Sequence, residues 1–162
     1  MKSIHDFTFN CVWKSTDLKM RQQIVEFWKQ YNVLDDALAM ERIDQAVYTV
    51  CDKEDKICGI STASLVYHKV IESNVYLYRC FIAKSNRAPA LDALLLLKTR
   101  DYLEQMTQLD RKAVGLIVVA QNSFLKKWNK AVWPDTDMMY IGNTEAGDPV
   151  RIYYFKGSKI MT

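Results

Sequence analysis

The sequence predicts a mixed α/β (α+β) fold, a mostly antiparallel twisted sheet of about seven strands with about four helices on both faces. Three observations predict it. Strand-like and helix-like periodicities alternate along the whole chain. Three strand-like runs in the middle are joined by short turns, as in an antiparallel meander. From Val75 to Ala120 a strand, a long helix and a second strand follow one another, and such a unit is right-handed with its two strands parallel. With 162 residues the chain holds one core and is read as a single domain, 1–162.

Phe7 to Trp13 alternates aromatic or branched residues with polar ones, the pattern of a half-buried strand. Ser15, Thr16 and Asp17 then supply capping side chains, and Met20, Ile24, Phe27, Trp28 and Tyr31 recur at helical spacing. Asp35 and Asp36 open a shorter helix carrying Leu38 and Met40. Ala46 to Cys51 and Ile57 to Val66 read as strands around the charged turn Asp52 to Lys56. Glu72, Ser73 and Asn74 form a second turn, and Val75 to Ala83 is the next strand. Lys84 to Ala90 is a polar loop. Leu91 to Met106 is the longest helix, leucine throughout from Leu94 to Leu97 and so covered on more than one side. Val114 to Ala120 is a continuous apolar run, the mark of a strand buried on both faces. Asn122 or Ser123 caps a further helix with Phe124, Leu125, Trp128 and Val132 on one side. Tyr140 to Asn143 and Val150 to Phe155 are the last strands, around a turn from Glu145 to Pro149.

Composition narrows the function classes. The apolar share of 49% and charged share of 25% are those of an ordinary globular protein. A net charge of +3 is too small to argue for nucleic acid, and Lys126, Lys127 and Lys130 are the main basic cluster, so no nucleic-acid partner is expected. None of Cys11, Cys51, Cys58 and Cys80 stands in a CxxC pair, and only His5 and His68 could complete a metal site, so no metal is expected. The four cysteines read as free thiols in a reducing compartment, although Cys51 and Cys58 flank a turn and leave a disulfide open as an alternative. The opening residues lack the apolar core of a signal peptide, and no apolar run approaches the roughly 20 residues of a membrane helix. A cytoplasmic location without a membrane partner is expected.

The order of elements resembles the GNAT superfamily of acyl-CoA-dependent N-acyltransferases along nearly the whole chain. The family's signature loop follows its fourth strand and reads Gln or Arg, two residues, Gly, one residue, Gly or Ala. The corresponding stretch here is Arg87-Ala88-Pro89-Ala90-Leu91-Asp92. The resemblance implies acetyl-CoA as co-substrate, an amine acceptor, and a coenzyme pyrophosphate held at the helix opening at Leu91. There, unpaired N–H groups and the positive dipole end favour an anion. Ala88 and Ala90 keep the loop small, and Lys84 and Arg87 add charge. The resemblance also places the pantetheine arm beside Phe81, Ile82 and Ala83, with Asn122 either touching the arm or capping the next helix. Four features depart from the pattern. Pro89 lacks an N–H, although it suits a first helical position. Asp92 stands where the family prefers Gly or Ala and would repel phosphate. Asn129 occupies the place of the tyrosine that protonates the departing thiolate in many members, and Trp133-Pro134 replaces a Gly-Phe pair.

Acetyl transfer to an amine is direct attack on a thioester, which requires a proton carrier and an oxyanion donor. A backbone N–H near Phe81 is the expected donor. Tyr76, Tyr78, Cys80 and His68 are the candidate proton carriers, Tyr78 first. The resemblance builds the acceptor site from Trp28 to Glu41 and Gly142 to Pro149, where Asp35, Asp36, Glu41, Glu145 and Asp148 either attract a cationic amine or solvate the surface. The altered loop, the absent tyrosine and the 4 Trp and 9 Tyr also fit an inactive GNAT-like module in a homodimer or with a protein partner.

Overall fold

Eight strands and three α-helices form within residues 2–88, 90–121 and 129–158, the part of the chain that the computed structural model describes. In chain order they are β1 (Thr8–Cys11), α1 (Leu18–Gln30), α2 (Asp36–Arg42), β2 (Ala46–Cys51), β3 (Ile57–His68), β4 (Ser73–Ile82), α3 (Leu91–Asp110), β5 (Gly115–Val119), β6 (Val132–Trp133), β7 (Met138–Asn143) and β8 (Pro149–Tyr154). Short 3-10 turns occupy Ile4–Asp6, Ile43–Gln45 and Lys84–Asn86. Hydrogen-bonded neighbours run β1-β2-β3-β4-β5-β8-β7-β6. β4 and β5 are parallel, as a strand–helix–strand crossover requires. The β1–β2, β2–β3, β5–β8, β6–β7 and β7–β8 ladders are antiparallel.

The mixed, mostly antiparallel class is as expected, with one strand more than seven. The extra strand, β6, has two residues, too few to show a period of two. It takes Val132, which pairs with Met139 and is not on a helix. The rest of that expected helix, 122–128, lies outside the described residues. Ser73 and Asn74 belong to β4; the turn ends before them, with Glu72 in the left-handed region at φ 54°. Cys51 and Cys58 are both buried thiols, and no disulfide joins them. Among the described residues no helix is long and apolar enough to cross a membrane.

The chain divides into two compact units. The first comprises Met1–Ala63 and Arg79–Thr99. Its helices start where capping side chains allow: Asp17 accepts from the Met20 N–H and Asp35 from the Leu38 N–H, each at 2.8 Å. On one side Ile24, Phe27, Trp28 and Ala39 pack with Ile43, Ile60 and Ala83. On the other, Leu91 and Leu95 pack with Phe7, Val50, Cys58 and Ile82. The neighbours Ile82 and Ala83 enter different clusters, as alternation along an extended chain requires.

The second unit comprises Ser64–Tyr78 and Arg100–Thr162. Val75, Ile117, Val150 and Ile152 centre its core. Arg151 is buried there. It donates to the carbonyls of Lys130 (2.7 Å) and Met138 (3.2 Å) and lies 4.4 Å from the Trp133 ring centroid. A buried guanidinium is tolerable only with partners of this kind.

Candidate functional site

The end of β4, the turn after it and the start of α3 gather most of the expected site within the first unit. The β4–β5 ladder joins Tyr76 to Leu116, Leu77 to Ile117 and Tyr78 to Val118, and β4 runs on to Ile82. Two bonds fix which way its backbone groups point. The Asn74 carbonyl accepts from the β5-side N–H of Val114 (2.9 Å), and the Ala83 N–H donates to the β3 carbonyl of Cys58 (2.8 Å). Backbone groups alternate sides along a strand, so even-numbered positions face away from β3 and odd-numbered ones towards it. Ile82 therefore turns its N–H and C=O to the edge away from β3, and Phe81 turns its own to β3. The Phe81 ring packs obliquely on Phe27 and Tyr31, centroids 5.7 Å away in each case. The Ile82 side chain is buried with Leu91 and Leu95.

After Ala83 the chain makes the turn Lys84–Asn86, closed by the Asn86 N–H on the Ala83 carbonyl at 2.8 Å. Asn86 is buried, and its Oδ1 accepts from the Ser85 hydroxyl at 3.0 Å. Lys84 and Arg87 are exposed cations on either side of this buried amide. Ala88 packs on the cluster of Phe7, Leu91 and Leu95. Its carbonyl accepts the Leu91 N–H at 3.1 Å, and the Ala90 carbonyl accepts the Leu94 N–H at 2.9 Å. Ala90 lies at φ 63°, in the left-handed region where glycine is at ease and alanine is strained. This is the position at which the motif carries glycine. Pro89 and Asn122 lie outside the described residues.

Asp92 sits in the first turn of α3, where a carboxylate favours the helix dipole. Desolvation by the protein around it pushes its carboxyl above the ordinary 3.8, and the charge of Arg87 pulls the other way. A pyrophosphate brought to this turn would meet that carboxylate.

The candidate proton carriers divide between the units. Tyr76, Tyr78 and His68 belong to the second, and Cys80 to the first. Tyr76 and Tyr78 are buried; burial, with Asp110 adding to it, pushes the Tyr76 phenol up, so it keeps its proton at neutral pH. Cys80 is exposed. His68 is half-buried, and its Nδ1 is enclosed without a hydrogen-bond partner. Several acidic candidates have structural work. Asp35 caps α2 and Asp36 pairs with Lys29 at 3.0 Å; burial and then Arg42 push the Arg79 guanidinium down, and the charge of Glu41 pulls the other way. Glu145 is exposed in the β7–β8 turn, and the Asp148 N–H donates to the Thr144 hydroxyl at 3.1 Å. Asn129 is exposed in an irregular segment.

Sequence reasoning missed Lys2 and Ser85, joined at 2.8 Å across 83 positions. It also missed a cavity of about 430 Å³ in the first unit, lined by Lys14, Thr16, Arg21 and Asp44 over an apolar floor, which shares no residue with the β4–α3 loop. Among the described residues no group of three His, Cys, Asp or Glu side chains could hold a metal.

No protein-family model and no curated protein matches the sequence. Solved structures do match. The ribosomal-protein-S5-alanine acetyltransferase of Vibrio fischeri superposes with a TM-score of 0.62 at 10% identity, over 98% of both chains. A mutant AtaT toxin, bound to the C-terminus of the antitoxin AtaR and to acetyl-CoA, superposes with a TM-score of 0.54 at 16% identity, over 93% of this chain and 94% of that one. The chain has the GNAT fold. A GNAT-family acetyltransferase of Streptococcus pneumoniae agrees, with a TM-score of 0.52 at 12% identity over 91% of this chain and 99% of that one. The parallel pair of β4 and β5 within a mostly antiparallel sheet belongs to that fold.

Proposed function

We propose that the chain is an acyl-CoA-dependent N-acetyltransferase that moves the acetyl group of acetyl-CoA to an amine by direct attack. One observation carries the reading. β4 ends at Ile82 with its backbone groups turned away from β3, then passes through a small-residue loop flanked by Lys84 and Arg87 into a helix of 20 residues. Such a segment can pair with the amides of an extended arm and hold the attached phosphates at a helix start. Ile82 is the backbone partner of the arm, between Phe81 and Ala83, whose side chains fix the strand from the other face. Ala88, Ala90 and Leu91 form the bed for the pyrophosphate, and Asn122 is the expected further contact. Two similar structures are acetyltransferases and one holds acetyl-CoA, which supports the reaction class.

In the reaction the ammonium first loses a proton to water, the neutral amine nitrogen attacks the thioester carbon, the nitrogen sheds a second proton as the C–S bond breaks, and coenzyme A leaves as thiolate. A backbone N–H at the end of β4 steadies the oxyanion. Tyr78 is our candidate for the proton to the thiolate, since Asn129 cannot give one. The acidic side chains between Trp28 and Glu41 and between Gly142 and Pro149 are the proposed attraction for a cationic amine. The proposed domain is the whole chain, in keeping with 98% coverage of an acetyltransferase chain. The thiol state of Cys11, Cys51 and Cys58 supports a cytoplasmic location. Calorimetric titration with acetyl-CoA tests the reading: micromolar binding is expected, and no heat with no thermal shift at millimolar ligand refutes it.

Asp92 and the strained Ala90 favour a second reading, an inactive GNAT-fold module in a homodimer or with a protein partner. The complex of AtaT with AtaR shows that a protein of this fold binds another chain. A monomer that turns over acetyl-CoA excludes it.

A further inference from the structure

We propose that the turn Ile4–Asp6 clamps the β4–α3 loop, with Lys2 as a positioning residue that holds Ser85 and brings a third cation to Lys84 and Arg87. The ligand consequence rests on the coenzyme reading above; the clamp itself does not.

The turn that projects Lys2 is tied to itself and to the turn between β2 and β3. The Ser3 hydroxyl accepts from the His5 N–H at 3.4 Å, and the Ser3 N–H donates to Asp6 Oδ2 at 2.8 Å. The Ser3 carbonyl accepts from the Asp6 N–H at 2.9 Å. Lys53 pairs with Asp6 Oδ1 at 3.0 Å. The Ser3 backbone bond, and then Lys53, hold the Asp6 carboxyl below its ordinary 3.8, so these contacts are intact at neutral pH.

From this base the loop is gripped twice. Above, Lys2 Nζ donates to the Ser85 carbonyl at 2.8 Å. Below, Ile4 and Phe7 pack in the cluster that holds Ala88, Leu91 and Leu95. The two grips bracket Arg87. The upper one is exposed. An exposed lysine loses rotamer freedom in such a bond, and a hydrogen bond in water returns little, so fold stability is a weak account of it. What the bond does achieve is electrostatic. It fixes one ammonium at Ser85, on the turn that carries Lys84 and two positions before Arg87 in the chain, at a loop that leads to the opposing carboxylate of Asp92 in the first turn of α3. A ligand with a pyrophosphate or a phosphorylated nucleotide then meets an ordered loop, and less of its binding energy is spent on ordering.

The test uses the full chain, tagged at its far end, as wild type, K2A and K2R. Hydrogen exchange is read without ligand, and coenzyme A affinity by calorimetry. K2A is expected to speed exchange of the amides from Ser85 to Leu91 by roughly tenfold, leave β7 and β8 as in wild type, and weaken coenzyme A by roughly tenfold, with K2R restoring both. Wild-type loop exchange in K2A overturns the clamp. A uniform rise in exchange along the chain also overturns it, because that is the mark of lost stability. Faster loop exchange with unchanged affinity overturns the positioning role. If wild type binds no coenzyme A, the coenzyme reading falls, while the ligand-free exchange still decides the clamp.

Discussion

Asp92 and Ala90 stand two residues apart, and each opposes a different requirement of the loop. Asp92 gains from the helix dipole and is exposed, yet partial desolvation by its surroundings raises its pKa above the ordinary 3.8. The native state holds this proton more tightly than the unfolded chain does. The stabilisation belongs to the protonated form, is complete below the ordinary 3.8, and is lost as pH rises through the raised value. Once ionised, the Asp92 carboxylate repels phosphate by about 1 kcal/mol at ~4 Å in water, and more where water is displaced. Asp92→Asn is therefore expected to tighten coenzyme A by about fivefold or more at neutral pH. The ratio to wild type should shrink towards one as the pH falls through the Asp92 pKa. Titration calorimetry over a pH series checks this, and equal neutral-pH affinities refute it. Ala90 at φ 63° pays the left-handed penalty of about 1–2 kcal/mol, partly offset by the freer unfolded chain of a glycine variant. Ala90→Gly should stabilise by about 0.5–1 kcal/mol in urea denaturation. The sequence showed both residues at motif positions. It could not show φ, nor Lys2, which reaches Ser85 from 83 positions away where no periodicity connects them.

The elements that the sequence revealed are those whose burial repeats with a period. β2 spans Ala46–Cys51 as expected because most of it is buried against neighbours, and α3 begins at Leu91 because its leucines begin there. Two of the misplaced boundaries are solvent-facing. β3 runs on to His68 through Tyr67, which is 62% exposed, and α3 runs on to Asp110 through Leu109, which is 80% exposed. Backbone pairing extends them where side-chain burial gives little signal. Gly115, at the start of β5, shows a constraint that periodicity hides. A Cβ there would lie 2.5 Å from the Tyr153 carbonyl oxygen of β8, an atom held in the ladder. Gly115→Ala should destabilise by about 3 kcal/mol, since one of the two strands must move. Gly147→Ala is the control. It meets no atom within 4 Å and should cost only the strain of φ 86°, about 1 kcal/mol. Similar urea midpoints for the two variants would refute the close-approach account.

Across the whole molecule, β3, β4 and α3 each contribute to both compact units, with the divisions at Ala63, Tyr78 and Thr99. The expected coenzyme contacts from Phe81 to Leu91 all belong to the first unit, and Tyr78 to the second. Binding to folded loop residues must appear as stabilisation of the whole chain to the extent that unfolding is cooperative. At acetyl-CoA about a hundredfold above its Kd the gain is about 2.7 kcal/mol. For a chain of 162 residues each kcal/mol moves Tm by about 2–4 °C, so a rise of roughly 5–10 °C is expected. The size of the shift alone does not separate a coenzyme site from general attraction. The chain carries +3, and Lys2, Lys84 and Arg87 would draw any polyphosphate. ATP at equal concentration and ionic strength makes the distinction, because it has the polyphosphate but no pantetheine arm for Ile82. A built coenzyme site gives a shift several-fold larger with acetyl-CoA than with ATP, and that difference persists in added salt because the arm's contacts are uncharged. Equal shifts that vanish together in salt would reduce the loop to a basic patch, and the inactive binding module would then be the better reading of this GNAT fold.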